Sequence, residues 1–330
     1  MKPVIFGCLG KSLTDWEKKF FSEIQPYGFI VFARNFDNPE QVRRLTDEMK
    51  NCVDAENIPI LIDQEGGRVA RLKPPHWRDA PPASVFAELA KKDIELAKKA
   101  VYLNTRLIAK ELYDLGITVN CTPLLDIPTE NSNDIIGDRA FGNDADTVST
   151  LALSMCEGLL DGGVLPIVKH IPGHGRAMAD SHKELPIVDA SLDSLRETDF
   201  VPFKRLKNMP IAMTAHILYT TIDDVVSTFS PKVIELIRNE IGFDGLLMSD
   251  DLSMQALDGD FSERTVRTLE AGCDIVLHCN ADVAEMKAIA GAVGDVRADT
   301  VNRIIIANRF LQTPKPMDYK LAEAELSKII

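Results

Sequence analysis

The feature that most constrains the fold of this 330-residue chain is an alternation that runs through almost its whole length. Short apolar runs at residues 4–6, 28–32, 59–63, 117–121, 165–170, 211–215, 245–249 and 275–277 are separated by stretches with helical periodicity. The runs are apolar at consecutive positions, as expected of strands buried on both faces. Strands separated by helices pair in parallel through βαβ crossovers, and a count of eight favours closure over an open doubly wound sheet. The expected architecture is α/β, a single (β/α)8 TIM-type barrel. No Gly-x-Gly-x-x-Gly follows the first strand, so a dinucleotide-binding sheet has no support.

Helix boundaries fall where this plan needs them. Thr14-x-x-Glu17 is a capping box, and Asn38-Pro39 places an N-cap before a proline at the first helical position. The run from about residue 92 to 115 stops at Gly116, and that from 263 to 271 stops at Gly272. No linker divides the chain. Residues 1–312 are expected to form the catalytic barrel and residues 313–330 a helical tail.

The charge balance narrows the possible partners. With 37 basic and 50 acidic residues the formal net charge is −13, and no basic run stands out. A nucleic acid or an anionic membrane would be repelled. The six cysteines are scattered, with no Cys-x-x-Cys pair, which predicts reduced thiols and not a disulfide framework. The N-terminal apolar stretch is too short for a signal peptide, and no segment approaches the roughly 20 apolar residues that span a bilayer. A cytoplasmic location is expected.

The ends of the strands carry the chemistry. Asp63, Lys169 with His170, His216, Asp250 with Asp251, and His278 each close an apolar run. In a parallel barrel these positions share one rim, where such folds place their active sites. Each alone reads equally well as a cap or turn residue; five strands together predict one polar pocket. His174, between two glycines, reads as a residue that shapes its loop. For His216 and His278, lining and capping the pocket weigh equally, and Asp126 fits a sugar contact or a turn. Asp250 and Asp251 are neighbours on one strand and so face opposite ways, though alternation alone does not choose between them.

Several segments occur together and in order: GFIVFARNF, IDQEGGRVARL, NSNDIIGDRAFG, KHIPGHGRAMADSH, MSDDLSM and AGCDIVLHCN, spanning roughly residues 28 to 280. In these the chain resembles the bacterial β-N-acetylhexosaminidases of glycoside hydrolase family 3, with Ile171 where that family usually has an aromatic residue. The resemblance implies a retaining β-N-acetylglucosaminidase acting through a covalent glycosyl-enzyme. Asp250 would be the nucleophile and His182 the acid/base, with Asp180 as its partner. Asp63, Arg71, Arg139, Lys169 and His170 would hold the terminal sugar. The implied substrates are N-acetylglucosaminyl-anhydromuramyl peptides of cell-wall recycling, with no cofactor and no metal.

Two carboxyl groups usually share the work of a retaining glycosidase; here an imidazole on a Gly-rich loop would replace one. Three other readings stand beside this one. A metal-dependent barrel amidohydrolase would use the histidines as ligands, although the first strand has no His-x-His and no His-Glu-x-x-His occurs. A non-catalytic sugar-binding barrel would need none of Asp250, Asp180 and His182. A β-glucosidase of the same broad family would keep the nucleophile but usually lack the KH-x-PGHG…DSH loop.

Overall fold

A computed structural model describes residues 1–129, 135–181 and 183–330. In chain order its strands are β1 (Lys2–Gly7), β2 (Pro26–Val31), β3 (Ile60–Ile62), β4 (Val119–Asn120) and β5 (Leu165–Ile171). They continue with β6 (Ile187–Val188), β7 (Ile211–Thr214), β8 (Leu218–Tyr219), β9 (Leu246–Asp251) and β10 (Ile275–His278). Among the described residues, eight of these close a parallel barrel in the order β1-β10-β9-β7-β5-β4-β3-β2, with helices between them. The (β/α)8 fold expected from the alternation is the fold observed.

Strand alternation divides the apolar residues between two layers. Ile5, Ile30, Leu61, Val119, Ile167, Met213, Met248 and Leu277 fill the barrel interior. Their neighbours Val4, Phe6, Phe29, Val31, Ile60 and Ile62 pack outward under the surrounding helices. This double burial explains the unbroken apolar runs. The helix ends follow the signals: Thr14 and Glu17 form the capping box, and Gly116 and Gly272 take positive φ.

The third and fourth strands are shorter than the apolar runs that mark them, because side chains take over the ladder. Asn120 Oδ1 accepts from the Gln64 amide (2.9 Å), and Asn120 Nδ2 donates to the Gln64 carbonyl (2.9 Å). The segment after residue 312 docks against helix Ile94–Asp114. Its own helix, Tyr319–Ile329, buries Ala322 and Leu326 in the cluster that contains Leu103 and Leu107. Among the described residues, no helix is long and apolar enough to cross a membrane.

Candidate active site

A cavity of about 180 Å³ opens at the C-terminal ends of the strands. Asp63, Arg71, Arg139, Lys169, His170 and Asp250, six of the residues expected at the site, all line it. His182, the expected acid/base, lies outside the described residues. Its neighbour Ser181 lines the cavity, whereas Asp180 is not among the lining residues.

One wall is a chain of alternating charges. Arg71 reaches Asp63 (Nη2–Oδ2 3.1 Å), and Lys169 bridges Asp63 (3.0 Å) and Glu65 (2.9 Å). Arg139 then closes on Glu65 through two hydrogen bonds of 2.8 and 2.9 Å. Burial disfavours charge at Asp63, but Lys169 and Arg71 outweigh it and hold the carboxyl below its usual range. Burial likewise opposes the Lys169 ammonium, and Glu65 and Asp63 more than restore it. The whole chain is therefore ionised, with each buried charge paired as such sites require. Arg71 lies over the Phe32 ring, and among the described residues its buried Nε has no hydrogen-bond partner.

Lys169 and His170 are sequence neighbours, yet both reach the cavity, because the register of β5 against β7 slips between Lys169 and Ile171. Asp126 fixes the direction of His170. This carboxyl, fully buried behind the cavity wall, contacts His170 Nδ1 (2.7 Å) and accepts from the amides of His170 (3.2 Å) and His174 (2.6 Å). It touches neither the cavity nor a turn of its own; it is a bracket for the next strand. Burial would raise its pKa, but His170 beside it more than offsets this and leaves it at about 2.

On β9, separated from β5 by β7, Asp250 Oδ1 accepts the amide of Asp251 (2.8 Å), and Oδ2 lies 4.0 Å from His170 Nε2. Burial opposes its charge; His170, then His216 and the Asp251 amide, prevail and lower its pKa. Asp251 is committed elsewhere. Its carboxylate accepts from the Ser253 amide (3.0 Å), the Ser253 hydroxyl (2.5 Å) and the Cys279 amide (3.1 Å). The two adjacent acids thus differ in kind: among the described residues nothing hydrogen-bonds Asp250 Oδ2, and Asp251 holds the loop.

The loop after β5 has a fixed base. The Tyr219 hydroxyl donates to the Gly173 carbonyl, and Arg176 Nε donates to Asp199 (2.7 Å). A Cβ on Gly175 would stand 2.0 Å from the Ile127 carbonyl oxygen, so only glycine fits there. The tip is tied to the loop that follows β9 through the Ala256 amide, which donates to the Ser181 carbonyl (3.1 Å).

Three histidines differ from their sequence-level readings or complete them. His174 does help to shape the loop through its amide, but its imidazole also lines the cavity and is held neutral by burial, with a pKa near 4. Neither His216 nor His278 lines the cavity. Both are fully buried outside the barrel wall, His278 edge-on to Phe6 and Phe261. Glu65 was not singled out, although its spacing of two from Asp63 carried the signal. An apolar wall of Val69, Ile135, Ile136 and Met254 completes the cavity.

This arrangement has known counterparts. The family model for the glycosyl hydrolase family 3 N-terminal domain matches residues 12–308. The β-hexosaminidase of Methylobacillus flagellatus is 34% identical over 311 residues, covering 92% of this chain and 87% of that one. NagZ from Neisseria gonorrhoeae, solved in complex with N-trifluoroacetyl-D-glucosamine, superposes with a TM-score of 0.89 at 33% identity, over 99% of this chain and 98% of that one. A family 3 β-N-acetylglucosaminidase from Paenibacillus sp. str. FPU-7 gives 0.88 at 30% identity, over 99% of this chain and 66% of that one. These matches decide against the amidohydrolase reading. The chain belongs to glycosyl hydrolase family 3 and is a glycoside hydrolase.

Proposed function

We propose that the enzyme removes terminal non-reducing N-acetylglucosamine with retention of configuration, from N-acetylglucosaminyl-anhydromuramyl peptides in the cytoplasm. The observation that carries the reading is Asp250: buried, ionised, tied by one oxygen to a backbone amide and, among the described residues, without a hydrogen bond at the other. In the first step Asp250 Oδ2 bonds to the anomeric carbon as the bond to the aglycone oxygen breaks. That oxygen takes a proton from His182. In the second step His182 removes a proton from water, the water oxygen bonds to the anomeric carbon, and the Asp250 carboxylate is released. Asp180 would keep His182 in the tautomer this exchange needs.

The ionic chain supplies the sugar contacts. Asp63 accepts from hydroxyls, while Arg71, Arg139, Lys169 and His170 orient the ring. The apolar lining residues Val69, Ile135, Ile136 and Met254 give an acetamido methyl an apolar seat, which favours N-acetylglucosamine over glucose. The relatives described as β-hexosaminidases, and the bound N-trifluoroacetyl-D-glucosamine of the Neisseria protein, support the same sugar. Among the described residues the six cysteines are free thiols, in keeping with a reducing compartment. Turnover of an aryl β-N-acetylglucosaminide against the matching glucoside tests this, in wild type, Asp250→Ala and His182→Ala. Strong preference for the N-acetyl sugar and loss in both variants are expected. Equal rates on the two sugars would refute the specificity, and full activity in Asp250→Ala the mechanism.

A further inference from the structure

Just beyond β7, His216 is completely buried and does not touch the cavity, yet both of its ring nitrogens are engaged. Nε2 lies 3.1 Å from the carbonyl oxygen of Asp251, and Nδ1 lies 2.7 Å from the Thr228 hydroxyl. A carbonyl only accepts, so Nε2 carries the hydrogen. The neutral ring then accepts at Nδ1, and Thr228 donates to it. The remaining contacts agree. The Ala215 carbonyl, also within reach of Thr228 (3.2 Å), takes a shorter bond of 2.5 Å from the Ser227 hydroxyl. The Thr214 hydroxyl stands 2.8 Å from Thr228 Oγ1 and donates to it. Hydrogen bonds thus run one way, from Thr214 through Thr228 and His216 to the Asp251 backbone.

Asp251 is the residue whose amide holds Asp250 Oδ1 (2.8 Å), and its carboxylate is pinned by Ser253 and Cys279. With His216 on the carbonyl, its amide, side chain and carbonyl are all committed. We infer that His216 is a positioning residue for the reaction: it fixes the Asp251 backbone and thereby aims the Asp250 carboxylate at the anomeric carbon. This rests on the reading of Asp250 as nucleophile.

Two substitutions separate the halves of the ring. The amide of His216→Asn reaches only as far as Nδ1, so it keeps Thr228 and loses Asp251. That of His216→Gln reaches the Nε2 position and can still donate to the Asp251 carbonyl. A misaimed nucleophile loses roughly 100-fold for about 1 Å, so His216→Asn is expected to lose on the order of 100-fold in kcat with little change in KM. His216→Gln stays within about 10-fold of wild type, since the aiming contact survives.

Labelling with a 5-fluoro N-acetylglucosaminyl fluoride, followed by mass spectrometry of the modified peptide, reads the attack itself. Label on Asp250, acquired more slowly by His216→Asn in proportion to its kcat, supports the inference. Label on Asp250 at the wild-type rate in a folded His216→Asn overturns it, as do equal losses in the Asn and Gln variants. Label on another residue overturns the nucleophile assignment itself, a distinct outcome. Should His216→Asn not fold, the isosteric Thr228→Val removes the hydroxyl that steadies the ring. It is expected to lower kcat about 10-fold at unchanged KM, and an unchanged kcat would overturn the inference.

Discussion

Asp126 and His170 form a pair across neighbouring strand ends, 2.7 Å between Oδ2 and Nδ1, with the acid fully buried and the imidazole facing the cavity. Because Asp126 only accepts, it keeps the hydrogen of His170 on Nδ1 and presents Nε2 to the cavity and to Asp250. Asp126→Asn preserves the shape but offers an N–H where the carboxylate oxygen stood. Misoriented supporting groups of this kind cost about 10- to 100-fold. Asp126→Asn should lower kcat and kcat/KM together by that order while the protein stays folded. Wild-type kcat in steady-state assays would contradict the role.

Lys169 is the central cation of the ionic chain, with Asp63 and Glu65 on either side. Lys169→Met leaves two buried carboxylates sharing only Arg71 and Arg139. Breaking a buried pair from one side typically costs about 3–5 kcal/mol. A loss of that size is expected in the unfolding free energy from urea titration, at an unchanged m-value. Undiminished stability would show that water reaches the chain and screens it.

His278 offers the opposite prediction. Among the described residues neither ring nitrogen makes a hydrogen bond, although Nε2 comes within 3.3 Å of Glu285. Burial lowers its pKa to about 4, against about 6.5 for a free imidazole. Between those values the unfolded chain binds a proton that the folded chain does not. Stability is therefore complete above about pH 6.5 and falls as the pH drops toward 4. His278→Leu should raise Tm at neutral pH and more at pH 5, with a gain about 2 kcal/mol larger at the lower pH. An identical Tm difference at pH 7.5 and pH 5 would contradict the account.

The barrel was legible because double burial writes itself as unbroken apolar runs, and a strand-end position sufficed to gather Asp63, Lys169, His170 and Asp250 at one mouth. Alternation also contained more than was read from it. Asp63 and Glu65 are two apart and share a face; Leu277 points inward, so His278 points out. What was not legible depends on contacts between strands. The bracket from Asp126 to His170 needs the offset of β4 against β5. The strap from His216 to Asp251 needs β7 beside β9 and a hydroxyl from Thr228. The short β3 and β4 arise because the side-chain amide of Asn120 pairs with the Gln64 backbone where backbone bonds were expected.

The most direct test of the central claim is the anomeric configuration of the product formed when Asp250→Ala turns over an aryl β-N-acetylglucosaminide in the presence of azide. With the nucleophile removed, azide can enter the vacated face and displace the aryl group once, giving the α-glycosyl azide, while hydrolysis without azide is lost. A β-glycosyl azide would place Asp250 in the acid/base role, and undiminished hydrolysis without azide would remove it from the reaction.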